Sequence, residues 1–199
     1  PAVLGYNWLL RRNKALQDTA LLPSYGLLNA RIAYQFTDHS SGSPVTDIVE
    51  SHERPMHLIV VSQDLAQFQH VHPMPTGQSG EYRVDVRFPV PGTHLLYDEF
   101  TRANGQDLLQ RDTLTVGGPS GGASALAEDR SPKLIDGVRV ALQGAGTIRA
   151  GQEARLVFRL EDPRTGDGLA DLQPYLGAPA HAVILSQDAQ AFVHTHGEA

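Results

Sequence analysis

The chain matches itself. Shifting the sequence by 124 positions lays residues 29–73 on residues 153–197 without a gap. Identical pairs recur along the overlap, among them Ala30/Ala154, Arg31/Arg155, Asp38/Asp162, Gly42/Gly166, Asp47/Asp171, His57/His181, Ser62/Ser186, Gln63/Gln187, Asp64/Asp188, Phe68/Phe192, His70/His194 and His72/His196. Self-similarity at a fixed offset restricts the chain to two copies of one structural plan. Between them lies Gly117-Gly118-Pro119-Ser120-Gly121-Gly122-Ala123-Ser124, small, uncharged and flexible in composition. The expected organisation is an N-terminal segment at 1–24 that packs on or leads into domain 1, domain 1 at 25–117, a linker at 118–131, and domain 2 at 132–199. Each domain is expected to hold its own core, with a modest interface between them.

Both copies read as β. Ala30, Ile32, Tyr34 and Phe36 alternate with Asn29, Arg31, Ala33 and Gln35, and the pattern returns as Ala154, Leu156, Phe158 and Leu160 against Glu153, Arg155, Val157 and Arg159. Tyr82, Val84, Val86 and Phe88 alternate with Glu81, Arg83, Asp85 and Arg87. A period of two marks strands with one buried face. Residues 57–61 and 181–185 are apolar on both faces after their leading His, as central strands are. Turn signals such as Pro91-Gly92, Asn104-Gly105 and Thr165-Gly166-Asp167-Gly168 punctuate the runs. The fold class is therefore all-β: two tandem immunoglobulin-like or cupredoxin-like β-sandwiches. The second is expected to be incomplete. Ala199 falls opposite Pro75, so the strands predicted at 81–89, 93–100 and 108–116 have no counterpart. An open second sandwich would expose apolar faces and strand edges unless chain beyond Ala199, a protein partner or a second copy in a homodimer completed it.

Composition narrows the chemistry. With no Cys there is no disulfide, Cys-based zinc site, Cys nucleophile or blue-copper centre. A net charge of −6 and a pI near 5.8 disfavour nucleic acid as a partner. What remains for a metal is nine His, two Met and the carboxylates. Six of the His form three matched pairs, and each copy carries a His, twelve residues, then His-x-His. Positions i and i+2 of a strand share a face, so His70 with His72, and His194 with His196, can converge. A turn at 63–67 would fold the strand that begins at His57 beside them. Three imidazoles suit a zinc or copper ion. The competing reading is that all six His are structural and hydrogen-bond the backbone. Met56 and Met74 flank the first set, where the second has Ala180 and Glu198, so domain 1 is expected to offer the softer site. His52 and His94 are further candidates, Glu53 and Asp98 could orient an imidazole, and His39 is expected in a solvated turn.

Enzyme signatures fail. His52-Glu53-Arg54-Pro55-Met56-His57 is one residue too long for HExxH, and Pro55 would break the required helix. No GxSxG, Walker loop or GxGxxG occurs. The segment Ser-Gln-Asp-x-x-x-Phe-x-His-x-His, present at 62–72 and 186–196, together with Leu172-Gln173-Pro174-Tyr175-Leu176-Gly177-Ala178 before His181, resembles bacterial secreted or membrane-anchored proteins with YtkA-like β domains. That resemblance implies a secreted, periplasmic or membrane-anchored location and an association with heavy-metal or copper handling. The apolar run at 1–10, with Arg11, Arg12 and Lys14 after it, has the wrong order for a secretory signal. It reads as a helix or strand packed on domain 1, or as the end of a membrane anchor lying outside this chain. The expected function is metal binding in the cell envelope, copper before zinc, as carrier or sensor rather than enzyme. The alternatives are an interaction or spacer module with structural His, and a three-His zinc or copper enzyme.

Overall fold

The computed structural model describes residues 5–11, 18–21, 28–38, 41–118, 127, 129–149 and 151–198. The protein is all-β, with one short 3-10 turn among the described residues. The first half contains β1 (Gly5–Arg11), β2 (Asp18–Leu21), β3 (Leu28–Gln35), β4 (Ile48–Val49), β5 (His57–Ser62), β6 (Phe68–Val71), β7 (Met74–Pro75), β8 (Glu81–Phe88), β9 (Gly92–Arg102) and β10 (Asp107–Gly117). They form two sheets, β1-β3-β8-β7 and β2-β10-β9-β5-β6, with β4 added on β9. The N-terminal segment thus supplies a strand to each sheet: β1 runs parallel to β3, and β2 parallel to β10.

The sandwich follows from the alternation. Ile32, Tyr34, Val86 and Phe88 on one sheet meet Leu58, Val60, Leu96 and Leu114 on the other in one buried cluster. Each such side chain contributes about 1.5–3 kcal/mol on burial. The opposite face of β3 and β8 is solvated, where Arg31 grips Asp85 of its cross-strand partner position at 2.7 and 3.2 Å.

β5 is buried on both faces. Met56, Leu58 and Val60 enter the sandwich core, whereas Ile59 and Val61 join a second cluster with Leu95 and Tyr97. That second cluster is closed by the other half of the chain. There β14 (His181–Leu185) and β15 (Phe192–His196) form a hairpin, and β11 (Lys133–Ile135), β12 (Val138–Gln143) and β13 (Val157–Glu161) form a separate antiparallel sheet. Ala189, Val183, Leu185 and Phe192 pack against Ile59, Val61 and Tyr97. The Tyr97 hydroxyl donates to the Ala189 carbonyl at 2.7 Å, and its ring stacks on Phe192 at 4.7 Å.

This corrects the expectation of two separate cores. Among the described residues the second half has no apolar cluster of its own. Among the described residues it has no strands equivalent to β8, β9 and β10, and its hairpin buries its apolar side against the first half. Its three-stranded sheet stays open, with Leu134 69 %, Ile135 54 % and Phe158 45 % exposed. Most of the Gly/Ser linker, and His39, lie outside the described residues.

Candidate metal centre

Two local devices aim the histidines, and both recur 124 residues apart. The first is a tight turn ahead of the leading His. Ser51 and Arg54 exchange backbone hydrogen bonds at 2.9 and 3.3 Å, and Tyr175 and Ala178 do so at 2.9 and 3.2 Å. The central residues are left-handed in both turns: His52 (φ 51°) and Glu53 (φ 62°), then Leu176 (φ 50°) and Gly177 (φ 74°). Positive φ at both central positions is the signature of a type I′ turn. The turn brings a carbonyl to the leading imidazole, so that His57 Nε2 donates to Ser51 O at 3.0 Å and His181 Nε2 donates to Tyr175 O at 2.8 Å. A carbonyl only accepts, so each Nε2 carries the proton and each Nδ1 keeps its lone pair.

The second device explains the Ser-Gln-Asp motif. Ser62 Oγ donates to Asp64 at 2.6 Å and accepts from Gln67 N at 2.9 Å. In the other half Ser186 Oγ donates to Asp188 at 2.5 Å and accepts from Ala191 N at 2.8 Å. These side chains tie the loops that join β5 to β6 and β14 to β15. The loops set the hairpin register, in which His70 lies opposite Ile59 and His194 opposite Val183, while His196 pairs directly with His181.

The result is two triads. The potential ligand atoms of His57, His70 and His72 all lie within 4.8 Å of one another, and so do those of His181, His194 and His196. Within the triads, ring centroids are 4.6–5.7 Å apart. His72 Nε2, His181 Nδ1, His194 Nε2 and His196 Nε2 are buried and meet no hydrogen-bond partner. His70 Nε2 instead lies 3.1 Å from His57 Nδ1. In the second half the unpartnered nitrogens are Nδ1 of the leading His and Nε2 of each His of His-x-His; in the first half His72 Nε2 is unpartnered, while His57 Nδ1 accepts from His70 Nε2, a proton that an ion would replace. Nitrogens gathered this way match what a three-imidazole zinc or copper site needs.

The triads also meet each other. His70 lies 5.1 Å from His194 and 6.0 Å from His181, and His57 lies 5.6 Å from His194, centroid to centroid. Glu99 of β9 accepts a hydrogen bond from His194 Nδ1 at 2.6 Å across the contact, which leaves His194 Nε2 as the free nitrogen. His52 stacks on His196 at 3.7 Å. Burial, reinforced by the neighbouring imidazoles, pushes His70 down to about 3 and His72 and His196 to about 4, and burial lowers His57 as well. All four are thus neutral, and able to ligate, at neutral pH.

The methionines fare differently. Met56 is fully buried in the sandwich core, on the face opposite His57, because adjacent strand residues point to opposite sides. That removes its thioether from the triad and corrects the expectation of a softer first site. Met74 sits half exposed on β7, in the other sheet. The same alternation decides between the carboxylates. Asp98 is buried near Tyr34, whose phenol is raised first by burial and then by the Asp98 charge, whereas Glu99, its neighbour, reaches the imidazoles. Sequence reasoning named Asp98 and missed Glu99; the signal was parity along β9, where Glu99 shares a face with Tyr97 and pairs with His57. His94 is buried against Phe88 and bonded to Gly92 O, apart from the triads.

A family model described as a domain of unknown function (DUF8832) matches residues 28–118 and 133–199. No curated protein matches the chain. Among solved structures the chain is similar to CopC from Methylosinus trichosporium OB3b, at 8 % identity and a TM-score of 0.34, over 53 % of this chain and 87 % of that one. A likeness that faint says nothing about chemistry here. The family match, by contrast, spans both triads and most of the chain, and the protein belongs to the DUF8832 family.

Proposed function

We propose that this protein binds a transition metal through its two three-imidazole sites and serves as a carrier or sensor rather than an enzyme. The observation that carries the reading is the matched set of buried imidazole nitrogens, four of them without a hydrogen-bond partner. An unmade buried hydrogen bond costs about 1–3 kcal/mol, and among the described residues only His94 has such an unpartnered imidazole nitrogen outside the triads. Among divalent ions, nitrogen donors favour copper(II) over zinc, and with Met56 in the core the first triad has no softer preference. Copper is therefore the preferred ion and zinc its competitor. The resemblance of the His-x-His segments to metal-associated envelope β domains supports work in the cell envelope.

The test is metal content and affinity of untagged full-length protein, titrated with copper(II) and with zinc. Tight stoichiometric binding is expected, copper before zinc. His72→Ala and His196→Ala should each remove one site. Protein that takes up no stoichiometric metal would leave the imidazoles structural and end this reading.

A further inference from the structure

The triads are too close to act alone. Three pairs of imidazoles from different triads, His57/His194, His70/His181 and His70/His194, lie 5.1–6.0 Å apart between centroids, against 4.6–5.7 Å within each triad. An ion bound by one triad sits about 2.0–2.1 Å from its nitrogens, so two ions would occupy one imidazole-lined space and not two distant pockets. Resting on the three-imidazole reading above, we infer that the paired triads form a single dinuclear centre, in which two divalent ions share a bridging hydroxide.

Charge is the reason for the bridge. Six neutral imidazoles bring no negative charge to offset two dications held side by side. The carboxylate that touches the cluster, Glu99, is engaged with His194 Nδ1. Each ion has three nitrogen ligands and a vacant fourth position. A water held between two such ions loses a proton readily, because even one bound dication can lower the pKa of water to about 7. The balance is simple: two dications and one water give the hydroxide-bridged pair and one proton, which leaves to solvent. No redox step is involved. The hairpin β14–β15, seated on the face of β5 and β9 by Tyr97, Phe192 and Ala189, holds the two halves of the centre in place.

Copper(II) makes the inference measurable, since two copper(II) ions joined by one hydroxide couple their spins and lose their paramagnetic resonance signal. Untagged full-length protein loaded with two equivalents of copper(II) is expected to retain both ions while most of the integrated signal disappears. His72→Ala and His196→Ala, which damage opposite triads, should each keep one copper and recover a full spin for it. Wild-type protein holding two coppers with a full spin for each would overturn the dinuclear centre and leave the three-imidazole reading standing. A single copper per chain would also overturn the dinuclear centre, and would leave only one of the two three-imidazole sites in use. Protein that binds no copper or zinc would remove both. The wild-type spin count decides the question even if a variant fails to fold.

Discussion

The two halves of the molecule place the same histidines with unequal means. In the first half, the ten strands among the described residues make two sheets around a continuous core, and the triad rides on a strand buried on both sides. In the second half, the triad stands on a two-stranded hairpin beside an open sheet. Yet the leading imidazole is gripped by the equivalent carbonyl, the loop is tied by the equivalent Ser and Asp, and the equivalent three imidazoles converge. An isolated two-stranded hairpin is marginal in water. The comparison teaches that the triad geometry is local, a property of one turn and one hairpin, while its stability is not. The second hairpin stands because its apolar side closes on Ile59, Val61, Leu95 and Tyr97 of the first half.

The largest expected difference lies in the cores. Leu58 has no exposed surface and sits in the middle of the sandwich. Leu58→Ala should destabilise the protein by about 3 kcal/mol, from lost burial and the cavity left behind. Ile184 is 45 % exposed on the outer side of the second hairpin, and Ile184→Ala should cost within about 0.5 kcal/mol. Chemical denaturation reads both. Equal losses would mean that the second half has a core of its own, and the contrast drawn here would fail.

Much of this was legible in the sequence. The alternation at 30–36 and 82–88 announced the two faces of the sandwich, and the twelve-residue spacing to His-x-His announced that three imidazoles would converge. Four things were not legible, each for a physical reason. A strand such as β5, apolar on both sides, shows that both faces are covered but not by what, so the cover supplied by the other half was invisible. The side chosen by Met56 and Asp98 depends on strand parity relative to a register that only the folded hairpin sets. The meeting of the two triads is a long-range contact that no local pattern encodes. The Ser-Gln-Asp segment repeats in the sequence, but its use in tying the loop depends on hydrogen bonds that exist only in the folded hairpin.

A second comparison concerns how much each triad owes to the other half. His194 is oriented by Glu99 from β9, a strand without a counterpart among the described residues of the second half. Glu99→Gln keeps the shape but weakens the acceptor. Losing a partner that orients a ligand typically costs about 10–100-fold in metal affinity, and the lower end is expected for so conservative a change. The loss should fall on the second site, read as the weaker phase of a zinc titration. A loss confined to the first site would contradict the assigned contact.

A smaller effect tests whether the hairpin is a self-contained device. Ser62→Ala and Ser186→Ala each remove a hydroxyl that both donates to an Asp and accepts from the backbone. Each should cost about 1 kcal/mol. Similar values in the two halves would support the local origin of the geometry. A large loss at Ser62 with none at Ser186 would show that the second loop is held by its packing on the first half instead.

The finest comparison is made with protons on metal-free protein. His70 titrates at about 3, His72 at about 4 and His196 at about 4, lowered first by burial and then by neighbouring imidazoles and, for His72, by Arg54. An unfolded chain protonates the same groups near 6.5. Between those values the unfolded state binds protons that the folded state refuses, so stability is full above about pH 6.5 and falls as the pH drops toward 4. Proton-detected titration of the imidazole resonances should therefore find these three rings still neutral at pH 5, with His70 the last to charge. The ordering depends on the two halves being in contact, since His194 and His181 of the second half help to lower His70. Midpoints near 6.5 for His70 would show that the imidazoles are separated and solvated, and that the face-to-face arrangement of the triads does not hold.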